Sequence, residues 1–218
     1  MGLKVTVAAG GNPSVWLYGV IGDDYGGVTA DEFRMALQEI PSKQDIDVHI
    51  HSEGGVYVDA IAMHSVLKSR AGKRNVFIDG LAASGGSVVA MAGTSIEMAE
   101  GAWMMIHEAH GAASGRAADF REAADRLDAT NQQLVSIYKA RWKGTEPELR
   151  KALADETWLR SDSAVISGLA DKTVSSPAIA ACIDREKFAY NRVPEELGPA
   201  AVERAIKSYE DRLAAILD

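Results

Sequence analysis

Cysteine is all but missing: Cys182 is the only one among 218 residues. No internal disulfide can form, and the chain suits a reducing compartment. Aromatic residues make up only 6%, and the 23 lysines and arginines fall short of the 31 aspartates and glutamates. The formal net charge of -8 weighs against nucleic acid as a partner, because such proteins present a basic face. No apolar run approaches the ~20 residues needed to cross a bilayer, so no membrane partner is expected. The opening M-G-L-K-V-T-V-A-A-G-G is too short and too glycine-broken for a secretory signal, and a cytoplasmic setting is the expectation. The phosphate-cradling patterns G-x-x-x-x-G-K-[ST] and G-x-G-x-x-G are absent as well, and no cofactor is expected. In His107-Glu108-Ala109-His110 the second histidine comes one residue too early for the zinc-binding helical face of H-E-x-x-H. With a single cysteine besides, no metal site is expected.

What remains is 47% hydrophobic and 25% charged, enough for one domain with a sizeable core. Strand-like runs alternate with helical ones. Val15–Ile21, Ile46–His51, Asn75–Ile78 and Trp103–Ile106 read as strands. Thr29–Ile40, Val56–Ser69 and Gly85–Met91 read as helices, and this alternation implies a largely parallel sheet. Arg116–Trp142 reads as one long helix, with Phe120, Leu127, Leu134, Ile137 and Tyr138 at helical spacing. Such a helix is expected to leave the globule and pack on a partner subunit through that stripe, Leu134 included. Glu146–Ala154 and Ser161–Ser167 are further helices, with a short extended piece at Trp158-Leu159. Beyond Val174 prolines punctuate the chain, and from Ala200 a stripe of Val202, Ile206, Tyr209, Leu213 and Leu217 predicts a helix. The expected division is a domain over 1–175 and a helical appendage over 176–218, which either docks on its own domain or holds a partner.

The chemistry centres on G-L-A-A-S-G-G-S, Gly80 to Ser87. A hydroxyl nucleophile needs a base within reach, an orienter for that base, and donors for the oxyanion. There are five histidines to supply the base. His49 and His51 alternate with Val48 and Ile50 on one strand face, and His64 sits within a helix. His107 ends the strand W-M-M-I. Gly54-Gly55 stands where a strand gives way to a helix and lets the backbone approach a ligand closely.

Four motifs in order, S-E-G-G-V (Ser52–Val56), G-L-A-A-S-G-G-S, M-M-I-H-E (Met104–Glu108) and S-G-L-A-D (Ser167–Asp171), resemble the ClpP-like serine proteases, whose usual forms are S-P-G-G, G-x-A-A-S-x-G, M-I-H-Q and Y-G-L-V-D. The likeness covers roughly Val15 to Thr173. It implies an α/β fold, the ClpP/crotonase-like spiral of ββα units, here with a long protruding helix and the C-terminal appendage. It implies Ser84 as nucleophile, His107 as base, and the backbone N–H groups of Gly55 and Gly85 as oxyanion donors. Aligning Trp158-Leu159 puts Glu156 at the orienting position, where the family has aspartate; Asp155 is the alternative. A base of this kind implies activity rising through the ordinary titration range of histidine, about pH 6 to 8. Ser87 is expected to pack inside its helix.

The resemblance further implies protein or peptide substrates and homo-oligomeric rings, hexameric or heptameric, single or stacked in pairs. Glu53 in place of proline, the short region before Val15 and the C-terminal appendage depart from the housekeeping pattern. They favour a phage or prophage relative that processes capsid or scaffold proteins during head maturation, in a bacterial cytoplasm or a viral procapsid. Two other readings compete: a non-catalytic ring-forming assembly protein, and a crotonase-like acyl-thioester enzyme. Labelling by a serine-directed phosphonate separates them.

Overall fold

The computed structural model describes residues 2–7, 11–177, 183 and 188–198. The helix expected from Ala200 onward lies outside the described residues. Eight strands, β1 (Leu3–Val7), β2 (Pro13–Ile21), β3 (Ile46–Gly55), β4 (Arg74–Ala83), β5 (Ser95–Glu100), β6 (Trp103–Ile106), β7 (Thr157–Arg160) and β8 (Lys172–Pro177), form one sheet. Among the described residues six α-helices accompany them: α1 (Ala30–Gln38), α2 (Tyr57–Lys68), α3 (Gly85–Ala90), α4 (Ala117–Lys139), α5 (Glu146–Ala154) and α6 (Ser161–Ser167). The order across the sheet is β1-β2-β3-β4-β5-β8. Pairing is parallel from β2 to β8, and only β1–β2 and β6–β7 run antiparallel.

Local sequence explains most of these elements. In β3 buried and half-buried positions alternate without a break, the pattern of a strand with one face in the core. Thr29 caps α1 reciprocally with Glu32, and Thr145 does the same for α5 with Glu148, each pair satisfying two N–H groups that a helix start leaves open. The small residues at the head of α3 answer to packing. All six of its residues are buried. A Cβ on Gly86 would stand 3.1 Å from the Ser52 Cβ, and one on Gly85 would stand 3.0 Å from the Ala60 Cβ. Glycine therefore lets α3 wedge between β3 and α2.

The branching of β4 positions the site. Its first half, Asn75–Ile78, pairs with β5, and its last residues, Leu81–Ala83, pair with β6. Ala83 stands opposite Met105 in parallel register, so the residues just beyond the two strands emerge side by side. Ser84 follows one strand and His107 ends just past the other. The carboxyl ends of β2 and β3 open on the same edge, with Ile21 opposite Gly55, as is usual for ligand-binding crevices of parallel sheets.

The expectation for the long helix needs correction. Leu134, Val135 and Tyr138 of α4 are buried in this chain's own core, so Leu134 is an internal contact. Only the amino-terminal part of α4 stands clear, with Phe120 52% exposed. No helix among the described residues is long and apolar enough to cross a membrane.

Candidate active site

Ser84 sits between β4 and α3 with φ 51° and ψ -118°. That region is rare for a residue with a Cβ and costs about 1–3 kcal/mol. Its conformation is held by neighbours. The Ser84 N–H donates to the Met105 carbonyl at 3.0 Å, and the Val88 N–H donates to the Ser84 carbonyl at 3.1 Å. Ser87, fully buried, donates its one proton to the Ser84 carbonyl (2.7 Å) or to that of Met105 (2.8 Å), and stands 2.8 Å from the Tyr138 hydroxyl. Burial drives the Tyr138 phenol well above its ordinary pKa. It stays protonated and can donate to Ser87.

The turn presents the Ser84 Oγ to the Nε2 of His107 at 2.8 Å. Burial, with the neighbouring His110 second and against the opposing pull of Glu156, pushes the His107 imidazole down to about 4. It is therefore neutral at physiological pH, with Nε2 able to accept the serine proton. The acidic limb of activity is therefore expected below the window of pH 6 to 8 that an ordinary histidine would give.

Gly54 and Gly55 adopt φ +94° and +144°. A Cβ on Gly54 would lie 2.9 Å from the Gly85 N, and one on Gly55 would lie 2.0 Å from the Ile21 carbonyl oxygen. The Gly55 N itself is 3.6 Å from the ideal Cβ position of Gly85. The two backbone segments expected to face an oxyanion thus approach each other beside Ser84. Gly55→Ala is expected to lower stability by at least about 2 kcal/mol, because backbone has to move. Gly26→Ala, where nothing stands within 4 Å despite φ +64°, should cost about 1 kcal/mol. Thermal melts of the two variants compare them.

Glu156, 8% exposed, has φ 52° and lies within electrostatic reach of His107. Its carboxylate accepts hydrogen bonds from the Asn191 N–H (2.8 Å), the Arg192 N–H (2.7 Å) and the Trp158 indole N–H (3.1 Å). Among the described residues no hydrogen bond joins it directly to His107. Burial alone would raise this carboxyl, but the two backbone donors, the indole and His107 together hold it below the usual range. Asp155 points elsewhere and pairs with Lys151 at 2.5 Å.

The other histidines divide. His49 is stacked between Trp16 and Phe77 and bonds Asp79 through Nδ1 at 2.8 Å, a structural arrangement on the sheet face. His51 shares that side of β3, and His64 is half-buried on α2. His110 stands outside the four motifs quoted above, yet its ring lies 5.3 Å from that of His107 and lines the same cleft. Its place three residues after His107, in a loop, was the only available signal.

The cleft, about 480 Å³, is lined by Gly55, Ser84, Gly85, His107, His110 and Leu134, among others. A second groove of about 440 Å³ adjoins it along α4, past Phe120 and Leu127, and the two share Gly111 and Ala112.

Residues 20–177 match the family model described as Clp protease. Among solved structures, a ClpP1 variant from Listeria monocytogenes is similar, with a TM-score of 0.66 at 18% identity over 75% of this chain and 91% of that one. That likeness concerns the fold. The family match spans well over half of the chain, and it includes the glycine turn, the strained serine and the strand-end histidine. This chain belongs to the Clp protease family.

Proposed function

We propose that the protein is a serine endopeptidase in which Ser84 is the nucleophile, His107 the general base and Glu156 the charge behind it. The observation that carries this reading is the 2.8 Å contact from the Ser84 Oγ to a neutral His107 Nε2 at the mouth of a cleft. The Oγ attacks a peptide carbonyl carbon as its proton passes to Nε2. The carbonyl electron pair moves to oxygen, facing the N–H groups of Gly55 and Gly85. Collapse breaks the C–N bond while His107 gives its proton to the departing amine. Water, deprotonated by the same imidazole, then releases the acyl group and returns the proton to Ser84. Glu156 stabilises the imidazolium by its field, since its oxygens are taken up by other donors. The contiguous grooves suit an extended polypeptide better than a compact thioester.

Within this reading the substrates are capsid or scaffold proteins processed during phage head maturation. The support is the departure from the housekeeping pattern at Glu53 and in the segment after residue 177. A fluorophosphonate should label Ser84 in the folded protein. Co-expression with candidate coat and scaffold proteins, compared with the Ser84→Ala chain by mass spectrometry, should reveal the cut sites. A folded protein that takes no label defeats the peptidase reading in favour of an assembly protein or a crotonase-like enzyme.

The assembly is a homo-oligomeric ring in which the exposed part of α4 meets another subunit. Phe120→Glu, which places a charge at a solvent-facing apolar position, should give smaller particles in analytical ultracentrifugation without lowering the melting temperature. Unchanged particle size would remove α4 from the contact.

A further inference from the structure

The stretch after residue 177 lies beyond the matched family region, yet its described residues return to the site. Phe188 and Leu197 join Ile183 in a small apolar cluster with Leu81, Ala83 and Met105. Ala83 immediately precedes Ser84, and Met105 is two residues before His107. From this anchor the chain crosses the back of the site. The Tyr190 ring meets the His107 ring edge to face at 5.4 Å, lies 6.0 Å from Trp158 and stacks on Phe188 at 5.5 Å. Its hydroxyl donates to the Glu53 carbonyl at 2.6 Å, directly before the Gly54-Gly55 turn. The next two residues turn their N–H groups onto the two oxygens of Glu156.

We propose that Tyr190–Arg192 is a positioning element of the active site: Tyr190 walls the His107 imidazole away from water, and the Asn191 and Arg192 N–H groups hold the Glu156 carboxylate in place. The inference rests on the serine peptidase reading. Packing alone would not require three consecutive residues to engage the base, the carboxylate and the glycine turn. Two adjacent N–H groups on one carboxylate keep it ionised, and they leave it to act on His107 through its charge. The wall accounts for part of the burial that keeps the imidazole neutral. The other charged groups that bear on His107 are His110 from its own loop and Glu156, while Asp24, Tyr57 and Tyr138 line the same cleft.

The test uses the full chain and two readouts. The pH dependence of diethyl pyrocarbonate modification at His107, resolved from His110 by peptide fragmentation, reports the imidazole without turnover. Fluorophosphonate labelling of Ser84 reports the nucleophile. In Tyr190→Ala the modification midpoint should rise by at least about one unit as water reaches the ring, and labelling at pH 7 should slow about tenfold or more. Tyr190→Phe keeps the ring and should restore the wild-type midpoint. If the alanine chain melts below the assay temperature, Tyr190→Gln decides by the same measurements, since it keeps the length and substitutes a hydrated amide. A folded variant without the ring that shows wild-type midpoint and labelling rate overturns the proposal. A wild-type protein that takes no label sinks the peptidase reading instead, and the midpoint comparison still stands.

Discussion

The Ser84→Ala protein is expected to lose peptide hydrolysis by a factor of about 10³ to 10⁶ while melting where the wild type melts. The first half follows from the geometry: the Ser84 Oγ is the hydroxyl in contact with His107 at the head of the cleft. The second half follows because alanine keeps the Cβ, so the backbone strain at φ 51° is the same before and after. Ser84→Gly makes the contrast. Glycine relieves the strain, so that protein should be equally inactive and more stable, by about 1 kcal/mol. Ser87→Ala should retain much of the activity, because Ser87 touches backbone and Tyr138 rather than the cleft. Near-normal hydrolysis by Ser84→Ala would end the mechanism.

The second large effect is a displaced pH profile. With His107 lowered to about 4 by burial, the base is deprotonated across the neutral range. Activity should be level from about pH 6 upward and fall only as pH drops toward 4. His107→Ala should be inactive throughout, and His110→Ala should keep an acidic limb, moved slightly upward by loss of a neighbouring positive charge. Stability carries the same signature. The unfolded chain titrates this histidine near 6.5, so between 6.5 and 4 the unfolded state binds the extra proton. Stability is whole above that window and declines as pH falls through it. Melts of the wild type and of His107→Gln at pH 7 and pH 5 should show a smaller pH effect for the variant. An activity midpoint at the ordinary histidine value that vanishes in His107→Ala would mean that the surroundings do not lower this imidazole.

Which parts were legible follows from how far the determining contacts lie along the chain. The caps at Thr29 and Thr145, the alternation in β3 and the run W-M-M-I are local, and the corresponding elements lie where the pattern puts them. Strand β5 was missed although Ile96 and Met98 alternate with Ser95 and Glu97, because six residues ending in Ala99-Glu100 look like a loop. Strands β1 and β8 are edge strands; β1 alternates cleanly over Leu3–Val7 but is only five residues long, and β8, K-T-V-S-S-P, has weak patterning of its own. Ser84 and His107 are singled out by the motifs that resemble the ClpP-like proteases, each placed after a strand, but their proximity depends on β4 splitting between two partners. The setting of Glu156 was invisible for another reason. Its partners are contributed by residues 191 and 192, and no spacing rule reaches that far. The same holds for the low pKa of His107, part of whose cover is Tyr190. Leu134 was misassigned because helical periodicity identifies an apolar stripe without saying which body covers each part of it.

The buried hydroxyl of Ser87 has a mechanical meaning. It touches the carbonyl of the nucleophile, a carbonyl of the strand that carries the base, and the phenol of Tyr138. Tyr138 belongs to the root of α4, and the helix runs from there about 30 Å out to Ala117 at 1.5 Å per residue. Its root stands two hydrogen bonds from Ser84, by way of Ser87. A single hydroxyl thus ties the elbow that carries the serine, the strand that carries the histidine and the root of the long helix to one another.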